Sequence, residues 1–280
     1  MVVPLDRKHL LAAVERSPQA FSVHDRDGWV GVFTADARVE DPVGSQPHVG
    51  REQIYRFYDT FIGPRDIKFH RDLDIVFGTT VLRDLELEVS MGSVGKIKSA
   101  VTMYIPAFLR YDLREDPRED PREANGEWRI GELRAYWELS AMMLQFLRSG
   151  PRVASPALQL TRGLLGNQGL RGTAGFLTGF RRVGERHKKL VRTFLAAAAQ
   201  RDERAALRTL SSTAAMTLGD HDRLDLAELA EQLDGASPTK TISAGPTVTV
   251  SLNSDHGRGI LFADVDWRGH SINRIRYFPA

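Results

Sequence analysis

A carboxylate closes the short run Val39-Glu40-Asp41-Pro42-Val43-Gly44, and a helix pattern opens soon after at Gly50-Arg51-Glu52-Gln53-Ile54. Ile54, Phe57, Tyr58 and Phe61 then recur at i, i+3, i+4 and i+7, which makes one apolar helix face. The run before Asp41 reads as a strand, and the proline and glycine after it as a turn. Asp41 is thereby held where the apolar side of a helix meets a sheet. A carboxylate in that setting is partly desolvated and suited to accept a proton. The same residues admit a plainer role. An aspartate before a proline is a common turn former, and either Glu40 or Asp41 can cap the loop.

The flanking elements have to position that carboxylate. Leu10, Leu11, Val14 and Phe21, then Trp29, Val32 and Phe33, predict two or three opening helices with one core face, with Ser17-Pro18 as an N-cap and first-turn proline between them. Strands are expected at 72–77, 81–91, 97–111 and 128–139. Leu85, Glu86, Leu87, Glu88 and Val89 alternate with period two. Helices first and an antiparallel meander afterwards is an α+β order.

The run from Val39 to Tyr58 closely resembles the ketosteroid isomerases of the nuclear transport factor 2-like superfamily, and the resemblance extends over residues 8–138 to Leu133-Arg134-Ala135-Tyr136-Trp137. It implies a cone in which a curved sheet wraps an apolar pocket. It places Asp41 as the general base that moves a proton between two steroid carbons. Tyr58 takes the place of a tyrosine in the pocket's hydrogen-bond network, and Trp137 that of a lining indole. Polyketide cyclases, dehydratases and non-catalytic binders share the cone, so the resemblance speaks for the fold more than for the reaction. It also implies that Ser17 and Ala107 stand where the family carries its two oxyanion donors. Losing one such donor costs about 2.7–4 kcal/mol of transition-state stabilisation.

Strand parity puts Arg83, Leu85, Leu87 and Val89 on one face, and Met103, Ile105, Ala107, Ala135 and Trp137 share the inward parity. Arg83 can polarise a ligand carbonyl, or it can pair with Asp41 and hold that carboxylate ionised. Tyr58, Tyr104 and Tyr136 are further candidate donors, with Tyr104 on the outward parity. His24, His48 and His70 read as surface or turn histidines.

Hydrophobic residues make up 42% of the 280 and charged residues 26%, values of a globular chain long enough for two cores. Residues 1–138 hold 19 Lys+Arg and 24 Asp+Glu, residues 139–184 hold 6 and none, and residues 185–280 hold 13 and 12. No lobe is strongly basic, which gives nucleic-acid binding little support. The absence of cysteine removes disulfides and thiol chemistry. Neither a signal peptide nor an 18-residue apolar run is evident, and a cytoplasmic location is the default expectation.

Three segments follow: a cone domain over 1–148, a basic connector over 149–184 and a second, shortened cone over 185–280. Residues 113–126 are a charged proline repeat read as a solvated hairpin extension. The connector repeats glycine at 163, 166, 169, 172 and 175 among leucines and phenylalanines, with Arg152, Arg162, Arg171, Arg181 and Arg182 as its charges and Arg148 just before it. Packing of Leu160, Leu164, Leu165, Phe176 and Phe180 is favoured there over contact with anionic membrane. In the second cone a helix near Leu190–Leu195, the segment 205–210, a run at 214–218 and a helix at 226–233 precede strands at 241–253, 259–267 and 272–278. Leu218 falls near the position of Asp41, so this copy lacks the base. Asp220-His221-Asp222 reads as a solvated cap and matches no metal spacing.

The expectation is a steroid Δ-isomerase-like protein that holds a steroid or similar polycyclic lipid in the first lobe, without metal or cofactor. The alternatives are a non-catalytic lipid binder or assembly module, and a cyclase or dehydratase acting on a polyketide. A homo-oligomer, most simply a dimer, is expected.

Overall fold

Asp6 accepts a hydrogen bond from the Lys8 N–H and starts α1 (Arg7–Ser22), whose buried face is Leu10, Ala13, Val14, Ser17 and Phe21. The helix runs straight past the expected break at Ser17-Pro18. Pro18 costs its hydrogen bond, but the buried face continues from Val14 to Phe21, and burying each such side chain stabilises by about 1.5–3 kcal/mol. The true boundary is at Asp25, which accepts from the Gly28 N–H and caps α2 (Arg26–Gly31). The computed structural model of the chain describes residues 6–91, 101–115, 127–148 and 184–280. The start of the expected third strand at 97–100, residues 116–126 of the charged repeat and residues 149–183 of the connector lie outside them.

Strands β1 (Phe33–Glu40) and β2 (His48–Val49) lead into α3 (Gly50–Phe57), which continues as a π-helical turn over Tyr58–Ile62. The wider turn shifts the phase of the helix face. Ile54, Phe57, Tyr58 and Thr60 are buried while Phe61 stays half-exposed. Strands β3 (Asp66–Phe77), β4 (Thr80–Met91), β5 (Val101–Glu115) and β6 (Trp128–Tyr136) complete a six-stranded sheet in the order β2-β1-β6-β5-β4-β3, with β1 and β6 parallel. The last strand stops at Tyr136, and Leu139 opens α4 (Leu139–Arg148) instead of ending a strand.

The second lobe repeats this plan. Helices α5 (Glu185–Ala199) and α6 (Glu203–Leu207), strands β7 (Leu210–Leu218) and β8 (Asp222–Leu224) and helix α7 (Leu226–Gln232) come first. Strands β9 (Ser237–Ala244), β10 (Thr247–Ser254), β11 (Gly257–Val265) and β12 (Ile272–Pro279) follow, in the order β8-β7-β12-β11-β10-β9 with β7 and β12 parallel. The expected single strand 241–253 is two strands, because Gly245 at φ 53° and Pro246 make a tight hairpin between Ala244 and Thr247. Both lobes are thus α+β, with helices packed on a six-stranded mixed sheet. One compact unit runs to Ala135 and takes in α4; the other takes in Tyr136–Glu138 and the chain from Gly184.

Candidate functional site

Register fixes which side chains share the inner face of the first lobe. Leu85 stands opposite Ala107, Leu87 opposite Ile105, Val89 opposite Met103, Arg83 opposite Leu109 and Val81 opposite Tyr111. This face meets α1: the Phe21 and Phe69 rings lie 6.3 Å apart, and Phe69 pairs with Leu87. Leu85, Val89, Met103, Ile105 and Ala107 are buried there and Leu87 is half-buried. The outward residues Glu86, Thr102, Tyr104 and Pro106 are exposed.

A bulge brings charge onto the same face. Pairing of β3 with β4 passes from Arg71–Leu85 to Leu73–Asp84, leaving Asp72 as the extra residue. The shift turns Asp74 inward, opposite Arg83. Arg83, 1% exposed, donates through Nη2 to Glu15 Oε2 at 2.7 Å, and its Nε lies 3.2 Å from Asp74 Oδ1. That second contact is an ion pair without hydrogen-bond alignment, and Arg83 Nη1 has no hydrogen-bond partner. The Arg83 guanidinium sits 5.9 Å from the Tyr111 ring. Desolvation works against the charge on Arg83, but Tyr111, Asp74 and Glu15 outweigh it and raise its pKa. Burial pushes the Tyr111 phenol up to about 12, with Asp74, Glu15 and Asp41 adding to the effect.

Asp41 follows the end of β1, where Glu40 pairs in register with Arg134 and the Val43 N–H donates to the Ala135 carbonyl at 2.8 Å. Glu40 closes the turn by accepting from the Gly44 N–H at 2.8 Å, and Ser45 donates to the Pro42 carbonyl at 2.7 Å. Asp41 itself is half-buried, and its negative charge is felt at Tyr111 and at Arg65. Arg65 donates through Nη1 to the Thr60 carbonyl at 2.8 Å and through Nε to Met91 Sδ at 3.3 Å. Desolvation draws its pKa down to about 10, and Asp41 offsets part of that shift. The residue as a whole keeps partial contact with solvent.

Tyr58 is buried beside Trp29, ring centroids 5.5 Å apart, and its hydroxyl has no hydrogen-bond partner. Desolvation raises its pKa, and the charges that add to the effect are Asp25 and Asp59. Ser17 is buried in α1, and Tyr104 is half-exposed with its backbone bonded to the Gln145 side chain. Tyr136 and Trp137 group with the second unit, where the Tyr136 ring lies 5.0 Å from Phe262. His24 and His70 are exposed beside Asp66 and Glu88.

His48 is half-buried, its ring 4.9 Å from Phe57, and burial lowers its pKa to about 4. An unfolded histidine titrates near about 6.5. Below that pH the unfolded chain takes up the proton first, so the first lobe should lose stability as pH falls from about 6.5 toward 4. In thermal melts across that range, His48→Gln should remove part of the slope; an unchanged slope would exclude His48 as its source.

Aligning the two lobes by their β3–β4 and β9–β10 hairpins pairs Phe77 with Ala244 and Thr80 with Thr247. An outer-face trio recurs at matched positions. Thr80 donates to Asp112 at 2.8 Å with Arg134 3.7 Å from that carboxylate, and Thr247 donates to Asp264 at 2.7 Å with Arg276 2.9 Å away. The inner face does not recur. Asp74 corresponds to Thr241, Arg83 to Val250 and Tyr111 to Ala263. With Glu40 paired to Arg134 and Thr217 paired to Arg276, Leu218 holds the register position of Asp41. The second lobe's main core cluster runs from Val191, Phe194 and Leu229 to Val250, Leu261 and Ile275. Asp222 opens β8, and Asp225 caps α7, accepting from Glu228 at 2.8 Å. No group of three or more metal-ligating side chains occurs among the described residues, and none of their helices is long and apolar enough to cross a membrane.

The family model of the Nuclear transport factor 2 (NTF2) domain matches residues 10–102. RV0760c from Mycobacterium tuberculosis, solved in complex with estradiol-17beta-hemisuccinate, is 21% identical, covers 47% of this chain and 95% of its own, and gives a TM-score of 0.38. The Delta 5-3-ketosteroid isomerase from Mycobacterium sp. is 24% identical, covering 48% and 95%, with a TM-score of 0.34. A ketosteroid isomerase-like protein from Erwinia carotovora atroseptica is 14% identical, covering 48% and 98%, with a TM-score of 0.37. The family match falls within the first lobe and names the superfamily to which the run around Asp41 pointed.

Proposed function

We propose that the first lobe binds a steroid or similar polycyclic lipid between its helices and the inner sheet face, and that Asp41 shuttles a proton in a steroid Δ-isomerase-like reaction. The comparison of the two lobes carries this reading. One plan is built twice and both copies keep the outer Thr–Asp–Arg trio. Only the first copy has Asp74, Arg83 and Tyr111 on its inner sheet face and an acid, Asp41, at the register position of Leu218, so the fold does not require them. Burying a charge costs desolvation even when the charge is paired, and a copy that keeps it is expected to use it. In the reaction Asp41 would take a proton from the carbon beside a ketone, leaving a dienolate, and return it at the far end of the conjugated system. Arg83 Nη1, a buried donor with no hydrogen-bond partner, and the Tyr111 hydroxyl are the groups suited to polarise the carbonyl.

The departures at Ser17 and Ala107 favour a second reading, a lipid carrier in which Asp41, Arg83 and Tyr111 orient the ligand without turnover. The two readings share the pocket. Androst-4-ene-3,17-dione should raise the melting temperature of the first lobe through linkage. No thermal shift at saturating steroid, together with a crystal structure showing no cavity beside Asp41, would sink both.

A further inference from the structure

Arg65 has an incomplete set of partners at the point where the inner sheet face ends. Its guanidinium has five N–H donors in one plane. Nη1 uses one on the Thr60 carbonyl, and Nε uses one on the Met91 sulfur, a weak acceptor. No carboxylate lies within 4.0 Å of it among the described residues, although the Asp41 charge is felt there. A partly desolvated cation in that state gains most from an anion that fits its fork. Met91 pairs in register with Val101, the next inward pair beyond Val89 and Met103, so Arg65 stands at one end of the apolar face that Leu85, Leu87 and Ile105 continue.

We propose that the first lobe selects ligands with an apolar, polycyclic or chain-like body and one carboxylate, and that Arg65 holds the carboxylate through Nη1 and Nη2. This rests on the pocket reading above and names the ligand class. The apolar body lies along Leu87, Val89, Met103 and Ile105. The acid end takes up, with charge-assisted hydrogen bonds, the Nη1 and Nη2 donors that the Thr60 carbonyl and the Met91 sulfur leave unused. Asp41 repels that carboxylate, and this repulsion limits affinity.

Deoxycholate and its methyl ester share one ring system and differ in charge, so they separate the two claims. By calorimetry at low ionic strength, wild type should bind the acid about 10-fold or more tighter than the ester. Arg65→Gln should remove that preference and leave ester binding unchanged, and Arg65→Lys should restore part of it. Asp41→Asn should tighten the acid and not the ester. Equal binding of acid and ester by wild type would overturn the Arg65 assignment and leave the pocket reading standing. Binding of neither would overturn both. If Arg65→Gln does not fold, the wild-type pair and Asp41→Asn still decide the question.

Discussion

Asp41→Asn is expected to lower the rate of 5-ene to 4-ene conversion of a steroid ketone by about 10²–10⁴-fold, with ligand affinity nearly intact. The amide keeps the shape of the side chain and loses the ability to accept a proton. A base acts on the transition state more than on the bound ground state, so kcat should fall while KM holds. The change should not unfold the loop, because Glu40 closes the turn and Ser45 and Val43 tie it to Pro42 and Ala135. The measurement is the appearance of the conjugated enone by ultraviolet absorbance. An Asp41→Asn rate equal to wild type would remove Asp41 from the chemistry. No turnover in wild type would leave the carrier reading. With Ser17 and Ala107 at the donor positions, wild-type turnover should be slow, and Ser17→Tyr with Ala107→Asp should raise it.

Arg83→Val should lower the stability of the first lobe by about 2–3 kcal/mol, at the low end of the cost of orphaning a buried charge pair. Glu15 and Asp74 retain partial solvent contact, at 30% and 22% side-chain exposure, which keeps the figure from being larger. In a lobe of this size that corresponds to a fall in Tm of about 10 °C. Valine is the residue the second lobe holds at the corresponding Val250, so its size suits the plan and the loss is electrostatic. Adding Glu15→Gln and Asp74→Thr to Arg83→Val should recover most of the lost stability. Thermal melts of the three proteins check this. A triple variant no more stable than Arg83→Val would show that packing, rather than unpaired acid, sets the cost.

Much of this was legible in the chain itself. Alternation at 85–89 and 101–107 carries the strand faces, and Asp41 with its turn and following helix carries the family. The interior network was less accessible. Glu15 and Arg83 are 68 residues apart, and Asp74 faces inward only because Asp72 is bulged, which no periodicity reports. Tyr111 was within reach, since it shares the parity of Ala107 two steps farther along β5. Arg65 left no signal, because its place depends on the π-helical turn over Tyr58–Ile62, whose Thr60 carbonyl accepts from it. Pro18 misled: local chemistry favours a break there, and packing of the helix face overrides it.

The bulge has a counterpart. In β9 the pairing passes from Pro238–Leu252 to Lys240–Ser251 and leaves Thr239 extra, five residues before the hairpin, as Asp72 stands five before Phe77. An extra residue at a sheet edge bends the strand, so the bend belongs to the architecture and is present in the lobe that holds Thr241, Val250 and Ala263 in place of Asp74, Arg83 and Tyr111. Curvature and chemistry are therefore separable inheritances of this chain. The edge strand sets the mould, and a mould fixed from outside lets its lining change one side chain at a time. One copy can keep a reactive interior while its twin fills with hydrocarbon, and the shape of neither has to be invented again.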